Sequence, residues 1–209
     1  MPRLPEADAD VLRYLALGDS YSIGEGVPEH GRWPVQLAAC LRDEGMALDD
    51  PTIIATTGWT TDELAAAMDG TTLAPPYDLV SLLIGVNNQY RGRSADDYRG
   101  EFQRMLERAI ALAGDRARHV LVLSIPDWGV TPFARQSDRN VIRIGDELDV
   151  YNAIARDETQ RRGAYWVDIT GISRRHPDLL ADDGLHPSAA QYTLWAQTAL
   201  PVSRYILTL

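Results

Sequence analysis

Apolar residues in this chain fall into short, nearly unbroken runs, separated by longer stretches in which they recur every three or four positions. The runs are Arg13–Leu17 (RYLAL), Thr52–Thr56 (TIIAT), Leu79–Ile84 (LVSLLI), Val120–Ile125 (VLVLSI) and Ala164–Asp168 (AYWVD). A run this short and continuous predicts a parallel strand covered on both faces. The intervening stretches predict helices. Trp33–Glu44 carries Val35, Leu37, Ala38 and Leu41 on one stripe. Thr60-Thr61-Asp62-Glu63 reads as a capping box opening a short helix through Met68, with Glu63 reaching back to the Thr60 amide. Ser94-Ala95-Asp96-Asp97 is a weaker form of that signal. It opens a helix through Ala113 with Phe102, Met105, Leu106, Ala109 and Ile110 on one face. A further helix spans Val141–Arg162, and a last one starts near Ser188, with Pro201 expected to kink or end it.

Strands alternating with helices from end to end predict an α/β fold, a three-layer α/β/α sandwich around a five-stranded parallel sheet. Crossovers should be right-handed, and the expected strand order is the flavodoxin-like 2-1-3-4-5. Ligands of such sheets bind beyond the carboxyl ends of the strands. The residues just after each strand are therefore where chemistry should be sought.

Serine comes directly after the first strand, in Gly18-Asp19-Ser20. The second is followed by Thr57-Gly58-Trp59-Thr60 and the third by Gly85-Val86-Asn87-Asn88. Pro126-Asp127-Trp128-Gly129 comes after the fourth, and beyond the fifth a longer loop contains Asp182-Asp183-Gly184-Leu185-His186-Pro187. One sheet edge thus collects a hydroxyl, glycines suited to close backbone approach, an asparagine and an Asp-x-x-His unit. Hydrolysis through a hydroxyl nucleophile needs those parts. If the last loop turns helically, the Asp183 carboxylate and His186 imidazole share a face, and the carboxylate can bind Nδ1–H and leave Nε2 free. Asp182 is the rival for that place. Each residue alone has a plain structural reading, as helix cap, turn or surface position. It is their convergence at one edge that points to a site.

These blocks resemble those of the SGNH (GDSL-type) hydrolase superfamily of esterases and lipases. The serine block is Gly18-Asp19-Ser20, the glycine is Gly58, the asparagine block is Gly85-Val86-Asn87-Asn88, and the histidine block is Asp183-Gly184-Leu185-His186. The match runs from Leu15 to His186. One position departs from it, with Asn88 standing where the family usually has aspartate. The expected consequence is altered loop bonding rather than loss of activity. The resemblance implies Ser20 as nucleophile, His186 as general base and Asp183 as its orienter. It also implies an oxyanion hole from the Ser20 and Gly58 backbone N–H groups with the Asn87 side-chain amide. An α/β-hydrolase nucleophile elbow, Gly-x-Ser-x-Gly, is not present around Ser20.

Composition narrows the remaining classes. The chain has 209 residues, 45% of them hydrophobic and 24% charged, with no repeat or low-complexity tract. Residues 1–209 are expected to form one domain, with 1–10 as a loose N-terminal arm. A formal net charge of -10 disfavours phosphate backbones and anionic lipid surfaces, so neither a nucleic-acid nor a membrane partner is expected. The opening MPRLPEADAD lacks the apolar stretch of a secretory signal, and no run approaches the ~18–20 apolar residues of a membrane span. A cytoplasmic location is the default. Cys40 is the only cysteine and sits in the helical context QLAACL, as a packed thiol rather than a reactive one. No paired-histidine or calcium-loop spacing calls for a metal, no Gly-x-Gly-x-x-Gly or P-loop comes after the first strand, and no cofactor is expected. The expected partner is a small-molecule acyl ester. Asp19, Trp59 and Trp128 are candidate substrate-binding positions, with Tyr90 and Phe133 further along the same loops. Arg91, Arg93 and Arg135 near the loops read as a solvated face in preference to a site for an anionic substrate. Small uncharged esters, including O-acetyl groups on carbohydrate, are favoured. The alternatives are a non-catalytic glycan- or acyl-binding module on the same fold, or an acyltransferase or thioesterase using the same residues.

Overall fold

A computed structural model describes residues 11–209; the expected N-terminal arm, residues 1–10, lies outside the described residues. The five apolar runs form the five strands of one parallel sheet: β1 (Tyr14–Gly18), β2 (Thr52–Ala55), β3 (Leu79–Leu83), β4 (Val120–Leu123) and β5 (Tyr165–Val167). Their order is β2-β1-β3-β4-β5, as expected from the pattern. Register places Gly18 opposite Ala55 on one side and Leu83 on the other, so the chain leaves β1, β2 and β3 at the same level. β1, β3 and β4 are buried along their whole length, which is why they read as continuous apolar runs.

Helices cover both faces. α1 (Ser20–Ile23) leaves β1 directly, and α2 (Trp33–Asp43) comes after it. Next are α3 (Thr61–Asp69), α4 (Val86–Tyr90), α5 (Ala95–Leu112), α6 (Pro132–Gln136), α7 (Val141–Arg161), α8 (Thr170–Arg175) and α9 (Ala189–Leu207). α2 packs on α9 on one face, while α5 packs on α3 and α7 on the other. The capping box forms, with Glu63 Oε2 accepting from the Thr60 amide at 2.9 Å. Ser94 caps α5 by accepting from the Asp97 amide at 3.1 Å.

Pro201 neither ends nor breaks the last helix, which runs through it to Leu207. A proline inside a helix forfeits one backbone bond and costs about 3 kcal/mol. Here it lies on the exposed side of α9, and the opposite side buries Tyr192, Trp195, Ala196, Ala199 and Ile206. Burying one such large side chain contributes roughly 1.5–3 kcal/mol, so packing outweighs propensity. The four short helices α1, α4, α6 and α8 are too brief to show a 3.6-residue period. Cys40 is half-buried on α2.

The turn from β1 into α1 needs glycine at 18. A Cβ there would lie 2.2 Å from Ser22 Oγ and 2.6 Å from the Leu83 carbonyl oxygen. Only a bare backbone lets α1 start this close to β3, and that closeness puts Ser20 over the end of the sheet.

Candidate active site

Ser20 is the first residue of α1 and only 4% exposed. Asp19 caps that helix, accepting from the Tyr21 amide at 3.1 Å. Its carboxyl is fully buried, and burial pushes its pKa up to about 7, against the lowering effect of the Tyr21 amide. Asp19 is therefore part of the support under the serine and does not line the cavity above it.

Beside Ser20 lies a cavity of ≈ 200 Å³, lined among others by Gly58, Asn87 and His186. Gly58 lies just past β2 in a left-handed conformation, φ +89°, that side-chain-bearing residues rarely adopt. Its carbonyl accepts from Arg91 Nη2 at 2.7 Å. Asn87 is the second residue of α4 and donates one amide hydrogen from Nδ2 to the Trp59 carbonyl at 2.9 Å. Among the described residues the other Nδ2 hydrogen has no acceptor, and neither the Ser20 nor the Gly58 backbone N–H has one. Three N–H donors on the wall of one cavity are thus unused by the fold.

His186 lies between β5 and α9, 8% exposed, and its ring meets Tyr21 edge-on with centroids 5.9 Å apart. Its Nδ1 lies 2.6 Å from Asp183 Oδ2. The loop brings the two together without turning helically. Instead, Asp183 Oδ1 accepts from the Leu185 and His186 amides, both at 2.9 Å, an Asx turn that leaves Oδ2 for the ring. Partial burial raises the Asp183 carboxyl pKa, but the His186 ring and the two amides outweigh that, and it lies below the ordinary carboxylate range. A carboxylate at Nδ1 makes that nitrogen the donor and leaves Nε2 as the acceptor. Asp182, the rival, is exposed and makes no bond to the ring. No hydrogen bond joins the Ser20 hydroxyl to His186 among the described residues.

The sequence profile of the GDSL-like Lipase/Acylhydrolase family matches residues 16–194, which include all of these side chains. The chain belongs to that family. It is an ester-hydrolysing enzyme. No curated protein sequence matches it, but solved structures share its fold. TesA is 18% identical with a TM-score of 0.71, over 93% of this chain and 99% of that one. An acetylxylan esterase from Geobacillus stearothermophilus is 17% identical with a TM-score of 0.71, over 93% and 96%. A lipase/acylhydrolase from Enterococcus faecalis is 19% identical with a TM-score of 0.70, over 94% and 96%.

The remaining candidates of this GDSL-like enzyme divide. Trp128 is buried, lines the cavity and donates from Nε1 to Gln89 Oε1 at 3.0 Å. Tyr90 and Phe133 pack edge-on against it, with centroids 5.5 Å and 6.2 Å away, and also line the cavity. Trp59 does not. Its ring packs half-buried against the core, and only its carbonyl meets a site residue. Arg91 and Arg93 lie outside the cavity lining, in partly exposed ion pairs with Glu63, Asp62 and Glu101. Tyr21, Val86 and Leu185 also line the cavity. Each is a chain neighbour of a motif residue, and that adjacency is the only signal the sequence holds for them.

Among the described residues no cluster of three or more histidine, cysteine or acidic side chains is placed to hold a metal ion. No described helix is long and apolar enough to cross a membrane.

Proposed function

We propose that this enzyme is a serine esterase that hydrolyses small carboxylic acyl esters through an acyl-enzyme. Ser20 is the nucleophile, His186 the general base and Asp183 the residue that fixes its tautomer. The observation that carries this reading is the set of three unused N–H donors around a serine, in a cavity that also contains an oriented histidine.

In the first step His186 Nε2 takes the Ser20 hydroxyl proton as Oγ adds to the ester carbonyl carbon. The carbonyl oxygen gains negative charge, and the Ser20 and Gly58 amides and Asn87 Nδ2 donate to it. Donors already in place need no reorganisation as charge develops. Imidazolium then returns the proton to the departing alcohol oxygen, leaving an ester on Ser20. Water, deprotonated by the same nitrogen, repeats the sequence and releases the acid. The Asp183 carboxylate stabilises the imidazolium in both halves.

Size supports a small acyl group. The cavity of ≈ 200 Å³ lies below the roughly 300–1,000 Å³ of sites for drug-sized ligands, and Tyr90, Trp128 and Phe133 wall it. Acetyl and short-chain esters, including O-acetyl groups on carbohydrate, are the substrates this volume favours. A series of p-nitrophenyl esters tests it. The acetate and butyrate should exceed the dodecanoate in kcat/KM by about tenfold or more, and a dodecanoate preference would overturn the assignment of acyl size.

Asn87→Ala should lower kcat by about 10²–10³ with little change in KM, because an oxyanion donor acts on the transition state. Unchanged kcat would remove the Asn87 amide from the mechanism.

A further inference from the structure

Asn88, where the family usually has aspartate, is fully buried. Its Oδ1 accepts from the Thr61 amide at 3.1 Å, and its Nδ2 donates to Thr61 Oγ1 at 2.8 Å and to Glu101 Oε2 at 2.7 Å. The same Glu101 oxygen accepts from the Thr61 hydroxyl and, at 3.0 Å, from Arg93 Nη1. Arg93 continues to Asp62 Oδ1 at 2.7 Å. A single carboxylate on α5 therefore joins the first turn of α3 to α4.

Those two segments carry the proposed oxyanion donors. Gly58 lies three residues before Thr61, and Asn87 is the chain neighbour of Asn88. On the cavity side the segments are tied again, by Asn87 Nδ2 to the Trp59 carbonyl. Arg91 closes the outer side, bonded to the Gly58 carbonyl at 2.7 Å and to Glu63 Oε2 at 3.0 Å. We propose that Glu101 is a positioning residue of the esterase, which through the Asn88 amide sets the spacing between the Gly58 N–H and the Asn87 Nδ2–H. The proposal rests on the oxyanion reading of those two groups.

The acid at 101 dictates the chemistry at 88. Every partner of Glu101 Oε2 is a donor: the Asn88 amide, the Thr61 hydroxyl and the Arg93 guanidinium. A carboxylate at 88, itself fully buried, would face the partly buried Glu101 carboxylate across 2.7 Å. Like charges that close either move apart or take up a shared proton. Exchanging both side chains reverses the polarity of the bond between 88 and 101, and Arg93 Nη1, which loses its acceptor at Oε2, keeps the one at Oε1, 3.1 Å away. The new carboxylate at 88 still accepts from the Thr61 amide, and the new amide at 101 donates to it. Displacement of a catalytic group by ~1 Å can cost about 10²-fold in rate. The loss belongs in kcat, since the oxyanion exists only after Oγ has added.

The experiment compares wild type with Asn88→Asp, Glu101→Gln and the double variant, using p-nitrophenyl acetate and thermal melting. Asn88→Asp is expected to lose about tenfold or more in kcat with KM within about threefold. The double variant should return to within about threefold of wild-type kcat. Unchanged kcat in Asn88→Asp, a double variant as slow as Asn88→Asp, or a loss confined to KM overturns the proposal. If Asn88→Asp is too unstable to assay, Glu101→Ala takes its place, with an expected loss of about fivefold or more in kcat; unchanged kcat there overturns it equally. Labelling of Ser20 by a fluorophosphonate in the wild-type protein separates the two levels. Without labelling the esterase reading fails, whereas with labelling and no rescue only the role of Glu101 fails.

Discussion

Ser20→Ala is expected to reduce kcat on p-nitrophenyl acetate by about 10⁴-fold or more, with the fold and melting temperature retained. No described residue depends on the Ser20 hydroxyl for a hydrogen bond, and the backbone contacts of α1 run through main-chain atoms. Alanine therefore leaves no buried partner unpaired, and the stability change should stay within about 0.5 kcal/mol. Turnover falls because the acyl-enzyme has no atom on which to form. Some acceleration over water should survive, since the three N–H donors still polarise a bound carbonyl. Turnover above about 1% of wild type would mean that another group attacks.

The second large effect is expected from Asp183→Asn, about 10³–10⁴-fold in kcat. Asparagine can keep the Asx turn, its oxygen accepting from the Leu185 and His186 amides as Asp183 Oδ1 does. Its nitrogen would then face Nδ1 of the ring where Oδ2 now stands at 2.6 Å. A donor in that place forces Nδ1 to accept, and the proton moves to Nε2. The base is then blocked without being moved. Asp182→Asn is the control. Its side chain is exposed and bonds nothing on the ring, so activity should change by no more than about twofold. Equal losses in the two variants would show that the Asp183 carboxylate does not orient His186.

The strands are legible in the chain because each is a short apolar run buried on both faces, and the sheet order comes from their alternation with helices. Boundaries move by a residue or two, as at β5, which is Tyr165–Val167, shorter than its apolar signal. The features that sequence does not show have two physical causes. Elements of one turn, such as α1 and α4, have no period to detect and arise where the chain turns at the ends of β1 and β3. Bonds between distant residues have no local signature at all. Thr61 meets Glu101, and Asn88 meets both, across wide sequence gaps. Trp59 illustrates the opposite error: an aromatic at a strand end reads like a binding wall, yet its ring packs half-buried against the core and its carbonyl meets Asn87. Spacing alone brings Asp183 to the histidine ring, although the turn that delivers it is an Asx turn and not a helix.

The central claim is that the Ser20 hydroxyl is the reacting nucleophile, made so by the surrounding donors and the Asp183–His186 pair. Mapping the adduct of a fluorophosphonate by mass spectrometry tests it most directly. One phosphonyl group per chain is predicted, on the peptide that contains Ser20, with esterase activity falling in proportion to its formation. An adduct on a different residue, or full activity in a chain whose Ser20 is quantitatively modified, would contradict it.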